Sequence, residues 1–151
     1  MTVKPAKLLL VEDDANDEFL TCRVLRNEAG LKEIAVVRDG AEALDYLFAR
    51  GEYAHRDIED LPTVVLLDLN LPRLGGLDVL KTIRSEPRTQ LLPVVIMTSS
   101  REDRDIRHGY ELGANGYVVK PICMEEFSEK VKQLGLFWLL TNEPAAQSDD
   151  T

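Results

Sequence analysis

The sequence is short of cysteine and of long apolar runs, and each shortage excludes a class of protein. Only two cysteines occur in 151 residues, Cys22 and Cys123, and they form no CxxC motif. They are too few for a disulfide framework and lack metal-ligand spacing, so reduced, packed thiols in a cytoplasmic protein are expected. No stretch approaches the roughly 20 apolar residues of a membrane span or resembles a signal peptide, so no membrane contact is expected.

Positive charge is also scarce. The chain has 18 Lys and Arg against 27 Asp and Glu, which gives a net charge of -9. Proteins that bind nucleic acid present a basic face, so this balance argues against a nucleic-acid partner. An acidic excess of this kind serves solubility in most proteins. The length fits one domain.

Strand and helix patterns alternate along the chain to give five β-α units. Each strand is followed by apolar residues at helical spacing, and Ser99 with Glu102 forms a capping box for the fourth helix. Strands that are apolar on both faces predict a parallel sheet covered by helices on both sides, an α/β doubly wound fold. Strands are predicted at 7–12, 33–37, 63–68, 91–97 and 116–119. Helices are predicted at 16–29 and at about 101–112, and helical spacing marks three more, from Ala41 to Phe48, after Gly76 with Val79, Leu80 and Ile83, and from Met124 to Leu134.

Two segments fall outside this alternation. The connection 49–62 has 14 residues, more than the usual roughly 4–6, and it is either a partner surface or a solvated insertion. The segment 141–151, "TNEPAAQSDDT", is polar and contains proline, so a disordered tail is predicted after a domain that covers 1–140.

Acidic residues follow two of the predicted strands. Glu12, Asp13 and Asp14 come directly after the first strand, and Asp68 ends the third, in "VVLLDLNLP". Ligands of open parallel sheets bind beyond the carboxyl ends of the strands. Like charges gathered there raise one another's pKa or require a cation, and a small set of oxygen ligands suits Mg²⁺.

The other strand ends add a hydroxyl and an ammonium group. The fourth strand leads to Thr98, and the fifth leads to Lys120, followed by Pro121. Taken singly, such residues usually serve as turns, caps or solvated surface. Because all of them lie at the same end of successive strands, the set together favours a site for phosphoryl chemistry.

Four motifs carry a resemblance to a known family. The segments "LLLVEDD", "VVLLDLNLP", "VVIMTSS" and "GANGYVVKP" closely resemble the bacterial response-regulator receiver domain of two-component signalling. The resemblance covers about residues 6–136. It implies a flavodoxin-like (βα)₅ fold with five parallel strands in the order 2-1-3-4-5.

The resemblance implies a phosphoacceptor and a magnesium site. Asp68 matches the position of the phosphoacceptor aspartate. Glu12 and Asp13 match the acidic pair that holds Mg²⁺ together with Asp68 and the backbone carbonyl of Asn70. Asp13 would bind the ion directly and Glu12 through water, whereas Asp14 is given no catalytic role.

The resemblance also implies a switch. Lys120 matches the lysine that contacts the phosphoryl group, and its peptide bond to Pro121 would be cis. Thr98 and Tyr117 match the pair in which a hydroxyl turns toward the phosphoryl group and an aromatic ring follows it inward.

The expected function is that of a single-domain response regulator, a phosphoprotein rather than an enzyme, with at most slow self-dephosphorylation. The long 49–62 connection and the "FWL" ending resemble stand-alone receivers that serve bacterial and cyanobacterial phytochrome histidine kinases. The segment "LGLFWLL" at 134–140 is apolar around more than one helical face. It predicts a homodimer or partner surface that includes Phe137 and Trp138.

Three alternatives stay open. The chain could be a degenerate receiver, a constitutive interaction module that takes no phosphate. It could be an aspartate-nucleophile phosphatase of the haloacid dehalogenase type, although such enzymes have a second acid where this chain has Asn70. A nucleotide-binding flavodoxin-like protein is disfavoured, because no glycine-rich loop follows the first strand.

Overall fold

The structure is a computed structural model that describes residues 7–28, 31, 33–99 and 103–133. Strands and helices alternate through these residues as the sequence predicts. The strands are β1 (Lys7–Val11), β2 (Glu33–Val37), β3 (Val64–Asp68), β4 (Val94–Thr98) and β5 (Gly116–Val119). The helices are α1 (Ala15–Arg23), α2 (Gly40–Leu47), α3 (Gly76–Ser85), α4 (Asp103–Glu111) and α5 (Met124–Gln133).

The five strands form one sheet in which every neighbouring pair is parallel. Their order is β2-β1-β3-β4-β5, so the predicted topology is confirmed. The direction of the chain along the sheet reverses after β2, and β1 and β3 lie side by side at its centre. The carboxyl ends of β1 and β3 therefore meet at the position where open α/β sheets bind ligands.

The apolar strand residues alternate between two cores, one on each face of the sheet. Leu8 and Leu10 point to the face that α1 and α5 cover, where Phe127 is fully buried. Leu9 and Val11 point to the opposite face, which α2 and α3 cover. All five residues of β3 are buried. Burial on both faces explains why these strands read as continuous apolar runs.

Two predicted boundaries are wrong by a few residues. The fourth strand begins at Val94 rather than at residue 91, because Pro93 lacks an amide hydrogen and Leu92 closes a turn by donating to the carbonyl of Thr89. Leu91, counted in the apolar run, is 89% exposed. The first helix is α-helical only to Arg23 and continues as a π-helical turn, Val24–Glu28.

The connection 49–62 is folded against the domain. It begins with a 3₁₀ turn, Gly51–Tyr53, and the Tyr53 ring meets the Tyr46 ring edge to face at 5.2 Å. Arg56 stacks over the Tyr46 ring at 3.8 Å and donates to the backbone carbonyl of Tyr46 and, at 2.6 Å, to that of Asp60. The segment is thus ordered by its own contacts, and a role in partner binding stays a prediction.

Several predictions fall outside the described residues. These are the Glu102 half of the capping box, the apolar segment 134–140 with Phe137 and Trp138, and the tail 141–151. Within the part of the chain that the structure describes, no helix is long and apolar enough to cross a membrane.

Candidate functional site

The site forms where the two central strands end. In the parallel pairing of β1 with β3, Val11 lies opposite Leu67, so Glu12 and Asp68 follow as neighbours at the carboxyl edge. Glu12 is fully buried and Asp68 is 2% exposed. The two central strands, β1 and β3, are therefore each completed by a buried carboxylate. Two buried carboxylates require compensating charge nearby.

Both oxygens of the Asp68 carboxylate are held. Oδ1 accepts from the backbone amide of Asn70 at 2.9 Å, and Oδ2 accepts from Nζ of Lys120 at 2.8 Å. Helix α3 packs closely behind this residue, since a Cβ atom on Gly76 would lie 2.4 Å from the Asp68 carbonyl oxygen. Only glycine fits that approach, which fixes the loop between β3 and α3 against the strand end.

Three carboxylates, those of Glu12, Asp17 and Asp68, form a cluster at this edge. Among the described residues, Lys120 carries the only positive charge in direct contact with this cluster. Its Nζ lies 2.8 Å from Glu12 Oε1, 3.0 Å from Asp17 Oδ2 and 2.8 Å from Asp68 Oδ2. Burial of the side chain favours the neutral amine, but the contacts with Asp68, Glu12 and Asp17 outweigh it and raise the pKa of Lys120. The lysine is therefore charged at neutral pH. The Lys120–Pro121 peptide bond is cis, as predicted.

Glu12 is a buried acid whose pKa is raised. Burial raises its pKa to about 7, the negative charge of Asp68 adds to the rise, and Lys120 together with the backbone amide of Asp14 opposes it. Its Oε2 atom accepts from the Asp14 amide at 3.1 Å. Its Oε1 atom lies close to Lys120 but out of alignment for a hydrogen bond, and no other described residue donates to it.

These features fit a divalent cation. Carboxylate oxygens of Glu12, Asp13 and Asp68 lie within 4.8 Å of one another, and Asp13 is exposed while the other two are buried. Three carboxylates, of Glu12, Asp17 and Asp68, surround one ammonium group, Asp13 adds a fourth negative charge nearby, and a buried Glu12 oxygen lacks a donor among the described residues. Mg²⁺ is a hard cation that proteins bind through carboxylate and other oxygen atoms, and an excess of negative charge at the site favours its binding.

Thr98 lies at the end of β4, and Tyr117 lies on β5 against residues of α4 and α5. Thr98 is 2% exposed at the end of β4, and its carbonyl accepts from the Lys120 amide at 2.8 Å. Tyr117 is half-buried on β5. Its ring meets the Tyr110 ring at 6.3 Å, nearly perpendicular, and Nζ of Lys130 lies 5.1 Å from its centre.

Sequence reasoning missed Asp17 as a member of the cluster. Asp14, to which the sequence assigned no catalytic role, caps α1 by accepting from the Asp17 amide at 2.9 Å. The signal was present, because two aspartates three positions apart mark the first turn of a helix. That this turn faces Lys120, 103 positions away, depends on the packing of α1 on the sheet.

The fold and the cluster at its carboxyl edge are those of a receiver domain. The response regulator receiver domain family matches residues 8–132, and this chain belongs to that family. Receiver domains bind Mg²⁺ or Mn²⁺ at an acidic pocket of this kind.

Three relatives define the branch of the family that the chain resembles. Response regulator Rcp1 of Synechocystis sp. is 36% identical over 137 residues, which cover 91% of each chain. The bacteriophytochrome response regulator AtBRR superposes with a TM-score of 0.84 at 45% identity, over 93% of this chain and all of that one. The phosphorylated cyanobacterial phytochrome response regulator RcpA gives 0.74 at 39% identity, over 91% of this chain and 96% of its own.

Proposed function

We propose that this protein is a response regulator of a two-component system that accepts a phosphoryl group on Asp68 in the presence of Mg²⁺. The observation that carries the proposal is the environment of the Asp68 carboxylate. It is buried at the end of a rigid strand, and its two oxygens are fixed by the Asn70 amide and by Lys120. A nucleophile held in this way approaches the phosphorus atom in one orientation.

The proposed reaction transfers a phosphoryl group from a phosphohistidine to Asp68. A carboxylate oxygen of Asp68 forms the new bond to phosphorus as the bond from phosphorus to the donor nitrogen breaks. Bound at Glu12, Asp13, Asp68 and the carbonyl of Asn70, Mg²⁺ would neutralise charge on the phosphoryl oxygens. Lys120 would donate to another phosphoryl oxygen from its present place beside Asp68.

We propose that Thr98 and Tyr117 report the modification. The Thr98 hydroxyl, at the neighbouring strand end, would donate to the phosphoryl group, a hydrogen bond worth about 1.5–3 kcal/mol net. Tyr117 would then leave its contacts with Tyr110 and Lys130 and turn inward, which would remodel the surface of α4, β5 and α5. The contacts of Tyr117 with two helices support this coupling.

The partners follow by analogy with the relatives. Because Rcp1, AtBRR and RcpA are response regulators, the last two named for phytochromes, we propose a phytochrome histidine kinase as the phosphodonor. A cytoplasmic location, one receiver domain over 1–140, a role without enzymatic turnover and a homodimer built on Phe137 and Trp138 belong to the same proposal. No observation favours the degenerate-module or phosphatase alternatives.

The modification of Asp68 tests the proposal directly. Incubation with acetyl phosphate and Mg²⁺ should add about 80 Da, the mass of one phosphoryl group, to the wild-type chain in intact-mass spectrometry. Asp68→Asn should remove the adduct. Asp78→Asn, an exposed acid in the first turn of α3, should keep it. An adduct of wild-type yield on Asp68→Asn would refute the assignment.

A further inference from the structure

Asp17 contacts the lysine of the site from outside the set of residues that bind the phosphoryl group and the metal. Its Oδ2 atom accepts a hydrogen bond from Nζ of Lys120 at 3.0 Å. The residue lies in the first turn of α1, where its amide is held by the Asp14 side chain. This contact joins a helix to the strand-end cluster and is not explained by the phosphoacceptor chemistry.

Lys120 already has three carboxylates around its ammonium group. Its Nζ donates hydrogen bonds to Asp17 and Asp68, and Glu12 Oε1 lies 2.8 Å away without the alignment for a hydrogen bond. A phosphoryl oxygen that draws Lys120 toward itself therefore competes with these carboxylates for the ammonium group. The identity of the displaced carboxylate determines what opposes phosphorylation.

Exposure distinguishes the three carboxylates. The Asp68 side chain is 3% exposed and carries the phosphoryl group, so it stays in place. The Glu12 side chain is fully buried and is also bound by the Asp14 amide, so bulk solvent does not reach its oxygens. The Asp17 side chain is 36% exposed, so water can satisfy its oxygen once the lysine leaves.

We propose that Asp17 is a positioning residue that competes with the phosphoryl group for Lys120, so that the Lys120–Asp17 contact breaks when the site is phosphorylated. This inference rests on the proposed function. In the unmodified protein the contact holds the lysine partly toward α1. In the phosphorylated protein the same donor serves the phosphoryl oxygen, and Asp17 turns to solvent.

The competing explanation is that Asp17 merely supports Lys120, and it predicts the opposite effect. If Asp17 competes, its removal releases a donor and phosphorylation becomes faster. If Asp17 only supports the lysine, its removal loosens Lys120 and phosphorylation becomes slower. The sign of the change in rate therefore separates the two roles.

The test compares Asp17→Asn with wild type and with Asp78→Asn, a matched control. Asp78 is also an exposed aspartate in the first turn of a helix, α3, so both variants lose one charge from the same kind of position. Phosphorylation by acetyl phosphate with Mg²⁺ is followed by intact mass, and affinity for beryllofluoride, a phosphoryl mimic, is measured by calorimetry. Asp17→Asn should raise both on the order of threefold, the scale of a partly exposed ion pair.

Two further measurements exclude a general charge effect. The gain should persist at about 1 M salt, where the Debye length is roughly 3 Å and only direct contacts remain unscreened. Asp17→Glu keeps the carboxylate and should return the rate toward that of wild type. The inference would be overturned if Asp17→Asn were phosphorylated no faster than Asp78→Asn and bound beryllofluoride no more tightly. A wild-type adduct in the same experiment would still support the proposed function. Absence of any wild-type adduct would overturn both.

Discussion

The carboxyl edge of the sheet and the 49–62 connection are both rich in charge, but they satisfy it differently. In the connection, two acids each have one partner: Asp60 pairs with Lys7 at 2.9 Å and Glu59 with Arg88 at 3.5 Å. At the carboxyl edge, one lysine faces three carboxylates and Asp13 adds a fourth.

The difference lies in the balance of charge and in burial. The Arg56 guanidinium of the connection meets backbone carbonyls and an aromatic ring, which leaves its interactions complete without a ligand. Glu12 and Asp68 are buried among excess negative charge, and one buried oxygen of Glu12 has no hydrogen-bond donor among the described residues, so a cation or a proton would complete this site. Unbalanced buried charge, rather than the number of charges, therefore identifies the functional region.

The largest effect is expected from removal of the shared cation. Lys120→Met leaves Glu12 and Asp68 buried without their ammonium partner, so the free energy of unfolding should fall by about 3 kcal/mol without divalent cations. Saturating Mg²⁺ should restore most of the loss, because the ion replaces the missing positive charge. Urea unfolding followed by circular dichroism, with and without Mg²⁺, measures both quantities.

Lys7→Met is the matched control in the other region. Its ion pair with Asp60 is partly exposed, with side-chain exposures of 20% and 31%, so its loss should cost less than about 1 kcal/mol and be indifferent to Mg²⁺. Equal responses of the two variants to Mg²⁺ would remove the distinction between the regions.

The raised pKa of Glu12 predicts a pH dependence of stability. The folded protein holds this proton up to about pH 7, whereas the ordinary pKa of a glutamate in an unfolded chain is 4.5. The stabilisation from protonated Glu12 is therefore complete below pH 4.5 and is lost as the pH rises through about 7. Without divalent cations, the free energy of unfolding of the wild type should fall by at most about 3 kcal/mol as the pH rises from 4.5 to about 7. The Glu12→Gln variant should not show this fall. Parallel curves for the two proteins would contradict the assignment.

The smallest effects are expected in the connection. Arg56→Ala loses the stacking on Tyr46 and the bonds to two carbonyls, so the free energy of unfolding should fall by about 1–2 kcal/mol while the rate of phosphorylation stays the same. Arg88→Ala loses only a pair whose side chains are 40% and 77% exposed, and should change stability by less than about 0.5 kcal/mol. A slower phosphorylation of Arg56→Ala would show that the two regions are coupled.

Features that depend on local pattern were predictable from sequence, and features that depend on packing were not. The run Val64–Asp68 is apolar, buried on both faces and ends in an acid, so both the strand and the position of Asp68 were predicted. Leu91 and Leu92 misled the prediction of β4, because apolar residues before a proline look like strand. Asp17 meets Lys120 across the fold, and Arg56 is ordered by backbone carbonyls that no side-chain pattern reveals.

The central claim is that the carboxylate at the end of β3 takes the phosphoryl group. Reduction of the phosphorylated chain with borohydride converts an aspartyl phosphate to homoserine, and peptide sequencing by mass spectrometry then locates it. The account predicts homoserine at position 68 in a sample treated with acetyl phosphate and Mg²⁺, and none when Mg²⁺ is chelated. Homoserine at Asp13 or Asp17 with position 68 unmodified would contradict it.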